Sequence, residues 1–328
     1  MSATVWIDYS ADLRVASMSI GGMSVLERVL REAAAAGATR AIVMADADQL
    51  PRLPALRLTV EIVAPRTATP SEARAISGHT IAGVVVSDER SRRRAERALL
   101  ETCRRPYDGI GDRYISRSVS LRITRVLARL GATPNQVTFA NILVGLAACG
   151  FAQHGTPRAF AIAGVLIWLQ VVLDSCDGEL ARIRYMGSRF GMWLDNVSDD
   201  VIDNLFVLSV AIGLGGTWPL VGVVVAGMRA VYSLMIYRAV ARAGRPGDVI
   251  SFRWWFDKAD DELAERYDTR FTLLSLFRGI GRRDLYVLLW GAACVAQVPL
   301  VAVGLGSAIF VTNFGLGVAH LIATRRQP

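Results

Sequence analysis

Four aspartates at fixed intervals are the residues of this chain best suited to chemistry. Asp174, Asp177, Asp195 and Asp199 lie in the pattern D-x2-D-G-x2-A-R-x8-G-x3-D-x3-D, whose other fixed positions are Gly178, Ala181, Arg182 and Gly191. Asp174 and Asp177 are three residues apart and share a face if the segment is helical. Gly191, Asp195 and Asp199 recur every four residues and share a face of their own. Two such helices, facing each other, present four carboxylates across a glycine-lined gap. Left alone, those charges repel one another. Divalent cations resolve the conflict, and an all-oxygen ligand set suits Mg2+ or Mn2+. Gly178 lets a ligand approach the backbone, and Arg182, four residues on, is placed to meet phosphate oxygens. The chemistry that fits is metal-assisted handling of a nucleotide diphosphate. The plain alternative is an acidic helix–loop–helix with incidental spacing. Against it stand eight fixed positions at the junction of two apolar runs.

The elements around the motif are apolar. The 328 residues are 52% hydrophobic with mean hydropathy +0.36, too apolar for an ordinary soluble enzyme. A membrane span takes about 20 mostly apolar residues. Six spans are expected, at 136–153, 158–180, 191–212, 217–240, 284–298 and 300–322, the fifth being short. Charges at the edge of a span are costly and mark function by default. With a cytosolic N-terminal domain, the inside segments 89–135, 181–190, 241–283 and 324–328 are Arg-rich. The outside loops, around 154–158, 212–218 and 298–300, hold only His154 and Arg158. This follows the positive-inside rule. It predicts a multi-pass protein of the cytoplasmic membrane of a prokaryote, with the site on the cytosolic face. The net charge of +8 then serves anionic headgroups of membrane lipids and phosphates, and no nucleic-acid recognition motif is found. The start, MSATVWIDYS, does not read as a signal peptide. Cys103, Cys149, Cys176 and Cys294 form no CxxC and read as packing residues.

Residues 1–105 read as a small α/β domain with a parallel sheet. Candidate strands are Thr4–Asp8, Arg40–Ala45, Leu58–Val63 and Ile81–Val86, and candidate helices Met23–Ala36, Ser71–Ile76 and Glu89–Cys103. Residues 106–134 form an interfacial juxtamembrane helix and linker, with Leu121, Val126, Leu127 and Leu130 opposite Arg122, Arg125 and Arg129. Residues 135–328 form the membrane domain. Its loop 241–283 carries an acidic cluster (Asp257, Asp260, Asp261, Glu262, Glu265), read as a solvated face, and aromatic anchors Trp254, Trp255 and Phe256. The fold class expected is an α-helical polytopic membrane domain with six transmembrane helices, preceded by a small cytosolic α/β domain. Two more charges lie within spans, Asp203 and Arg229. Either they form a structural ion pair, or Arg229, with Arg238 and Arg282, binds a phosphate of an acceptor.

The aspartate pattern resembles the signature of the CDP-alcohol phosphotransferase family, position for position. The resemblance covers roughly 106–325 and includes Thr133-Pro134-Asn135-Gln136-Val137-Thr138, similar to a TPN-x-x-T entry into the first span. It implies a homodimeric six-helix membrane enzyme in which Asp174, Asp177 and Asp195 ligate two metal ions. Asp199 would be the general base, near or touching the second ion. Gly178, Ala181, Arg182 and Gly191 would surround the CDP group. Residues 20–46 look like the middle of a sugar-nucleotidyltransferase domain, without its glycine-rich loop. Asp46 and Asp48 read as a solvated turn. A shrunken cytidylyltransferase-like domain joined through PYDGIGDRYISRSVS to this motif resembles the di-myo-inositol phosphate phosphate synthase group. That implies CDP-inositol as donor and inositol phosphate as acceptor, with CMP released and a phosphodiester formed. Phosphatidyl transfer from CDP-diacylglycerol to inositol phosphate or glycerol phosphate uses the same motif. A different class of reading is a non-catalytic scaffold or a divalent-cation transporter.

Overall fold

The structure is a computed structural model describing residues 4–65, 73–105, 108–245, 249–255 and 281–325. It divides into two compact units. One holds Met1–Cys103, Arg125–Ala132 and Glu179–Met186. The other holds Arg104–Thr124, Thr133–Gly178 and Gly187–Pro328. The acidic cluster of 257–265 and Phe256 lie outside the described residues.

The first unit runs β1 (Thr4–Asp8), α1 (Leu13–Ser17), β2 (Ser19–Ile20), β3 (Met23–Ser24), α2 (Val25–Ala35), β4 (Arg40–Met44), β5 (Thr59–Val63), β6 (Arg74–Ala75), β7 (Thr80–Ile81), β8 (Val84–Val85) and α3 (Glu89–Glu101). Its sheet has the order β5-β4-β1-β6 and every pairing is parallel, as the strand–helix alternation predicts. Val5, Trp6 and Ile7 of β1 and Ala41 to Met44 of β4 are buried, so these central strands read as continuous apolar runs. Ser24 caps α2 by accepting from Glu27 N at 3.1 Å, and Asp88 caps α3 by accepting from Ser91 N at 2.6 Å.

Three local expectations change. Met23 and Ser24 pair with β2 instead of opening the helix, because Gly21 and Gly22 (φ 58° and 79°) make a left-handed two-residue turn. In the predicted helix 71–76, Arg74 and Ala75 pair with Val5 and Trp6; an open sheet edge outweighs the helical propensity of two residues. The predicted strand 81–86 is broken by Ala82 and Gly83, both at positive φ, into the β7–β8 hairpin.

The remaining helices are α4 (Arg117–Arg129), preceded by a π-helical turn Asp112–Ser116, then α5 (Pro134–Gln153), α6 (Pro157–Ile183), α7 (Arg189–Leu214), α8 (Trp218–Arg242), α9 (Arg283–Val295) and α10 (Pro299–Arg325). All six predicted apolar segments are helical. Four of them, α5, α6, α8 and α10, are long and apolar enough to cross a membrane. The 26 residues of α7 are long enough, but they carry Asp195, Asp199, Asp200 and Asp203. The 13 residues of α9 rise only ~20 Å, short of a hydrocarbon core of about 30 Å. Thr133 and Gln136 form a reciprocal capping box at the start of α5, with Pro134 at its first position. In the second unit α7 packs against α5, α8 and α10, over a core of Phe206, Tyr286, Trp290 and Phe310.

Of the apolar stripe expected within 106–134, Leu121 is buried and Leu127 half-buried. Val126 and Leu130 are exposed. The buried positions of α4 are Arg117, Ser120, Leu121, Thr124 and Ala128, a face of mostly small and polar residues at helical spacing. All four cysteines are free and buried, as packing residues should be.

Candidate active site

In the second unit the inward faces of α6 and α7 bring Asp174, Asp195 and Asp199 together, with a carboxylate oxygen from each within 4.8 Å of the others. Asp174 Oδ1 and Asp195 Oδ1 are buried and have no hydrogen-bond partner among the described residues. Convergent oxygens without protein partners are what a hard divalent cation requires. Asp177 lies outside this trio. It is buried, and Thr138 Oγ1 on α5 donates to its Oδ2 at 2.6 Å. The TPN-x-x-T segment thus has two jobs: Thr133 starts the helix, and Thr138, a turn later, supports a motif carboxylate.

One cation already faces the cluster. Arg283, the first residue of α9, places Nη1 2.8 Å from Asp199 and 3.0 Å from Asp174, and Nε 3.3 Å from Asp203. Its Nη2 donates to Gln170 Oε1 at 3.2 Å, and Gln170 Nε2 donates to Asp199 at 3.3 Å. Tyr286 OH donates to Asp203 at 2.8 Å. A single guanidinium among three contacting carboxylates, with Asp195 alongside, leaves surplus negative charge.

Beside Asp199 opens a cavity of about 270 Å³, lined among others by Asn196, Asp200, Arg229, Tyr232, Tyr237 and Arg283. Its arginines and tyrosines suit a phosphorylated polar molecule. The alternative of an Asp203–Arg229 pair is not what forms. Arg229 Nη2 meets Asp200 at 2.6 Å and Tyr237 OH donates to the same carboxylate at 2.7 Å, whereas Asp203 takes Arg283 and Tyr286. Adjacent Asp199 and Asp200 are about 100° apart around α7 and so face different neighbours.

Of the three arginines proposed for an acceptor, Arg229 lines the cavity. Arg238 is exposed, and Arg282 pairs with Asp284 at 3.1 Å; neither is in the lining. Asp284 also accepts from the backbone N–H groups of Gly111 (3.0 Å) and Asp112 (3.3 Å). A Cβ on Gly109 would lie 2.0 Å from its Oδ2, so the glycines of PYDGIGD permit this approach. Burial and the charge of Asp284 push the Asp112 carboxyl up to about 7.

Gly191 is the third residue of α7, its N–H donating to the capping Ser188 at 2.9 Å. Ala181 and Arg182 lie in the last turn of α6, within the first unit, where Arg182 Nη2 contacts Cys103 O at 3.5 Å. Asp46 accepts from Asp48 N and Gln49 on an exposed turn, as expected.

Residues 131–324 match the CDP-alcohol phosphatidyltransferase family. The chain belongs to that family. Among curated relatives, the bifunctional IPC transferase and DIPP synthase of Aquifex aeolicus is 33% identical over 38% of this chain and 28% of its own length. The archaetidylinositol phosphate synthase of Pyrococcus horikoshii is 35% identical over 28% of this chain and 47% of its own. The phosphatidylinositol phosphate synthase of Mycobacterium bovis is 38% identical over 27% of this chain and 42% of its own. The matches thus span less than half the length of these relatives. The solved phosphatidylinositol phosphate synthase of Mycobacterium tuberculosis with CDP-DAG bound aligns over 64% of this chain and 96% of its own, at 23% identity and a TM-score of 0.43. In this CDP-alcohol phosphatidyltransferase family member, Asp174 and Asp177 lie on α6 and Asp195 and Asp199 on α7.

Proposed function

We propose that this family member transfers a substituted phosphate from a CDP-alcohol to an acceptor hydroxyl, releasing CMP and forming a phosphodiester. The observation that carries the reading is the convergence of Asp174, Asp195 and Asp199 beside a cavity whose wall includes Asp199 itself. Asp174, Asp195 and Asp199, with Asp177 behind them, would hold Mg2+ or Mn2+, two ions by family resemblance. Bound there, the metal supplies charge neutralisation at the donor's pyrophosphate.

The protein's own residues account for the rest. Asp199 accepts the proton of an acceptor hydroxyl held in the cavity, and the oxygen attacks the β-phosphorus in line with the departing CMP. Gln170 orients the Asp199 carboxylate through its 3.3 Å hydrogen bond. Arg229 and Arg283 supply counter-charge for an acceptor phosphate, and the tyrosines of the wall set its position. Gly178, Ala181, Arg182 and Gly191 surround the CDP group by family resemblance. The relatives' names, two of them inositol phosphate lipid synthases, support inositol phosphate as acceptor. CDP-inositol and CDP-diacylglycerol are the two donors to weigh. The same reading makes the protein a homodimer of the cytoplasmic membrane, with six membrane helices and a cytosolic site.

The test is CMP release by purified protein in detergent with Mg2+ or Mn2+. CDP-inositol and CDP-diacylglycerol are offered separately, each with inositol phosphate or glycerol phosphate. Release from one pair, lost in Asp199→Asn, is the expected result and selects the donor. Absence of both CMP release and metal-dependent CDP binding would overturn the reading in favour of a scaffold or transporter.

A further inference from the structure

Arg28 is a charged side chain with no exposure, on α2, a helix to which the proposed chemistry assigns no task. Burying a guanidinium is costly unless its donors are used. Arg28 Nη1 donates to Ile183 O at 2.7 Å, and Nη2 donates to Ile20 O at 2.9 Å. Ile183 is the last residue of α6, the helix that begins the signature motif. The final carbonyls of a helix lack intrahelical partners and carry partial negative charge, so an arginine is the side chain suited to them.

The same turn has a second unusual feature. After Ile183 the chain passes through Tyr185 at φ 54°, a left-handed conformation that glycine usually supplies at a helix end. Met186 N closes the turn on Ala181 O at 2.9 Å. A tyrosine there persists only if its surroundings hold it. Its hydroxyl interacts electrostatically with Arg28 and Glu32, both on α2, and the Arg28 guanidinium lies 6.0 Å from its ring. Immediately before these anchors lie Ala181 and Arg182. The Arg182 guanidinium contacts Cys103 O at 3.5 Å, just past the end of α3. Arg184 Nη1 donates to Ala132 O at 2.6 Å.

We propose that Arg28 is a positioning residue for the CDP-binding end of the signature motif: the N-terminal α/β unit fixes the last turn of α6 and thereby the direction of Arg182. This gives residues 1–105 a role that needs no nucleotidyltransferase chemistry. It rests on the proposed function, because only a CDP-binding enzyme needs Arg182 so placed.

The experiment measures CDP binding in the presence of Mg2+ by calorimetry on full-length protein in detergent, with Mn2+ binding read separately by electron paramagnetic resonance. Arg28→Met should weaken CDP binding by roughly tenfold to a hundredfold, the range for a misplaced binding group. Mn2+ affinity should stay unchanged. Arg28→Lys, which keeps the charge but loses the planar fork, should recover part of the loss. Tyr185→Phe removes only the hydroxyl link and should weaken CDP binding in the same direction; it carries the test if Arg28→Met does not fold. Wild type that binds no CDP would sink the proposed function. Wild type that binds CDP, with Arg28→Met or Tyr185→Phe binding it equally well, would overturn this inference alone. A parallel loss of Mn2+ affinity would also overturn it, because the effect would then be general loss of structure.

Discussion

Arg283 and Asp199 form a 2.8 Å ion pair, and the same arginine nitrogen reaches Asp174 at 3.0 Å. The α9 arginine therefore stands where positive charge is needed by the carboxylates expected to hold metal. Without it, the carboxylates repel one another. In Arg283→Gln the thermal midpoint of metal-free protein should fall. Added Mn2+ should then raise it more than in wild type, because a ligand that binds only the native state stabilises it and no longer competes with an internal cation. Equal metal-induced rises in the two proteins would show that Arg283 and the metal do not share these oxygens.

Arg229 has its partner in Asp200, at 2.6 Å, and that carboxylate also takes the Tyr237 hydroxyl. Removing one member of a largely buried pair leaves an uncompensated charge and costs about 3 kcal/mol. Arg229→Met should lower the thermal midpoint, and Arg229→Met with Asp200→Leu should restore much of it. If Arg229 also serves the acceptor, the restored double variant will still show a raised KM for inositol phosphate with donor binding intact. A double variant with normal acceptor KM would confine Arg229 to a structural role.

The parts of the site legible in the sequence are those set by short-range geometry. Asp195 and Asp199 follow from a four-residue interval, which places them on one face of α7 whatever packs around it; the three-residue interval pairs Asp174 with Asp177, and of these Asp174 alone joins the cluster. Gln170 was within reach as well: it is a polar residue inside an apolar run, one turn before Asp174. Arg283 was not. Arg282 and Arg283 are adjacent, and about 100° of helix rotation separates them. Which one faces Asp199 depends on how α9 packs, which no local pattern encodes. The same ambiguity leaves open in the sequence whether Arg229 pairs with Asp203 or serves an acceptor, and its partner in the structure is Asp200. In the first unit, β1, β4 and β5 were readable from β-branched runs. Arg74–Ala75 was not, because its pairing with Val5 and Trp6 is a property of the sheet edge.

Thr138 supports Asp177 through a 2.6 Å hydrogen bond inside the second unit. Thr138→Val keeps the shape and removes the donor. A buried carboxylate left without that donor costs about 1–3 kcal/mol, so the thermal midpoint should drop. Thr138→Ser retains the hydroxyl and should sit near wild type. The two variants should differ likewise in metal-dependent CDP binding, with Val the weaker. Indistinguishable variants would mean that the threonine matters only for packing.

Asp112 gives a pH dependence whose sign follows from its surroundings. Burial and the Asp284 carboxylate raise it from 3.8 to about 7. Between those values the unfolded chain has released the proton and the native protein keeps it. Stability therefore falls as pH rises through this window: the contribution is fully present below the unfolded value and is lost as pH passes the native one. Asp112→Asn cannot ionise and should escape this loss. Measured by thermal unfolding from about pH 5 to about pH 8, the midpoint of the variant should gain on wild type as pH increases. A constant difference between the two proteins across that range would show that Asp112 does not titrate there.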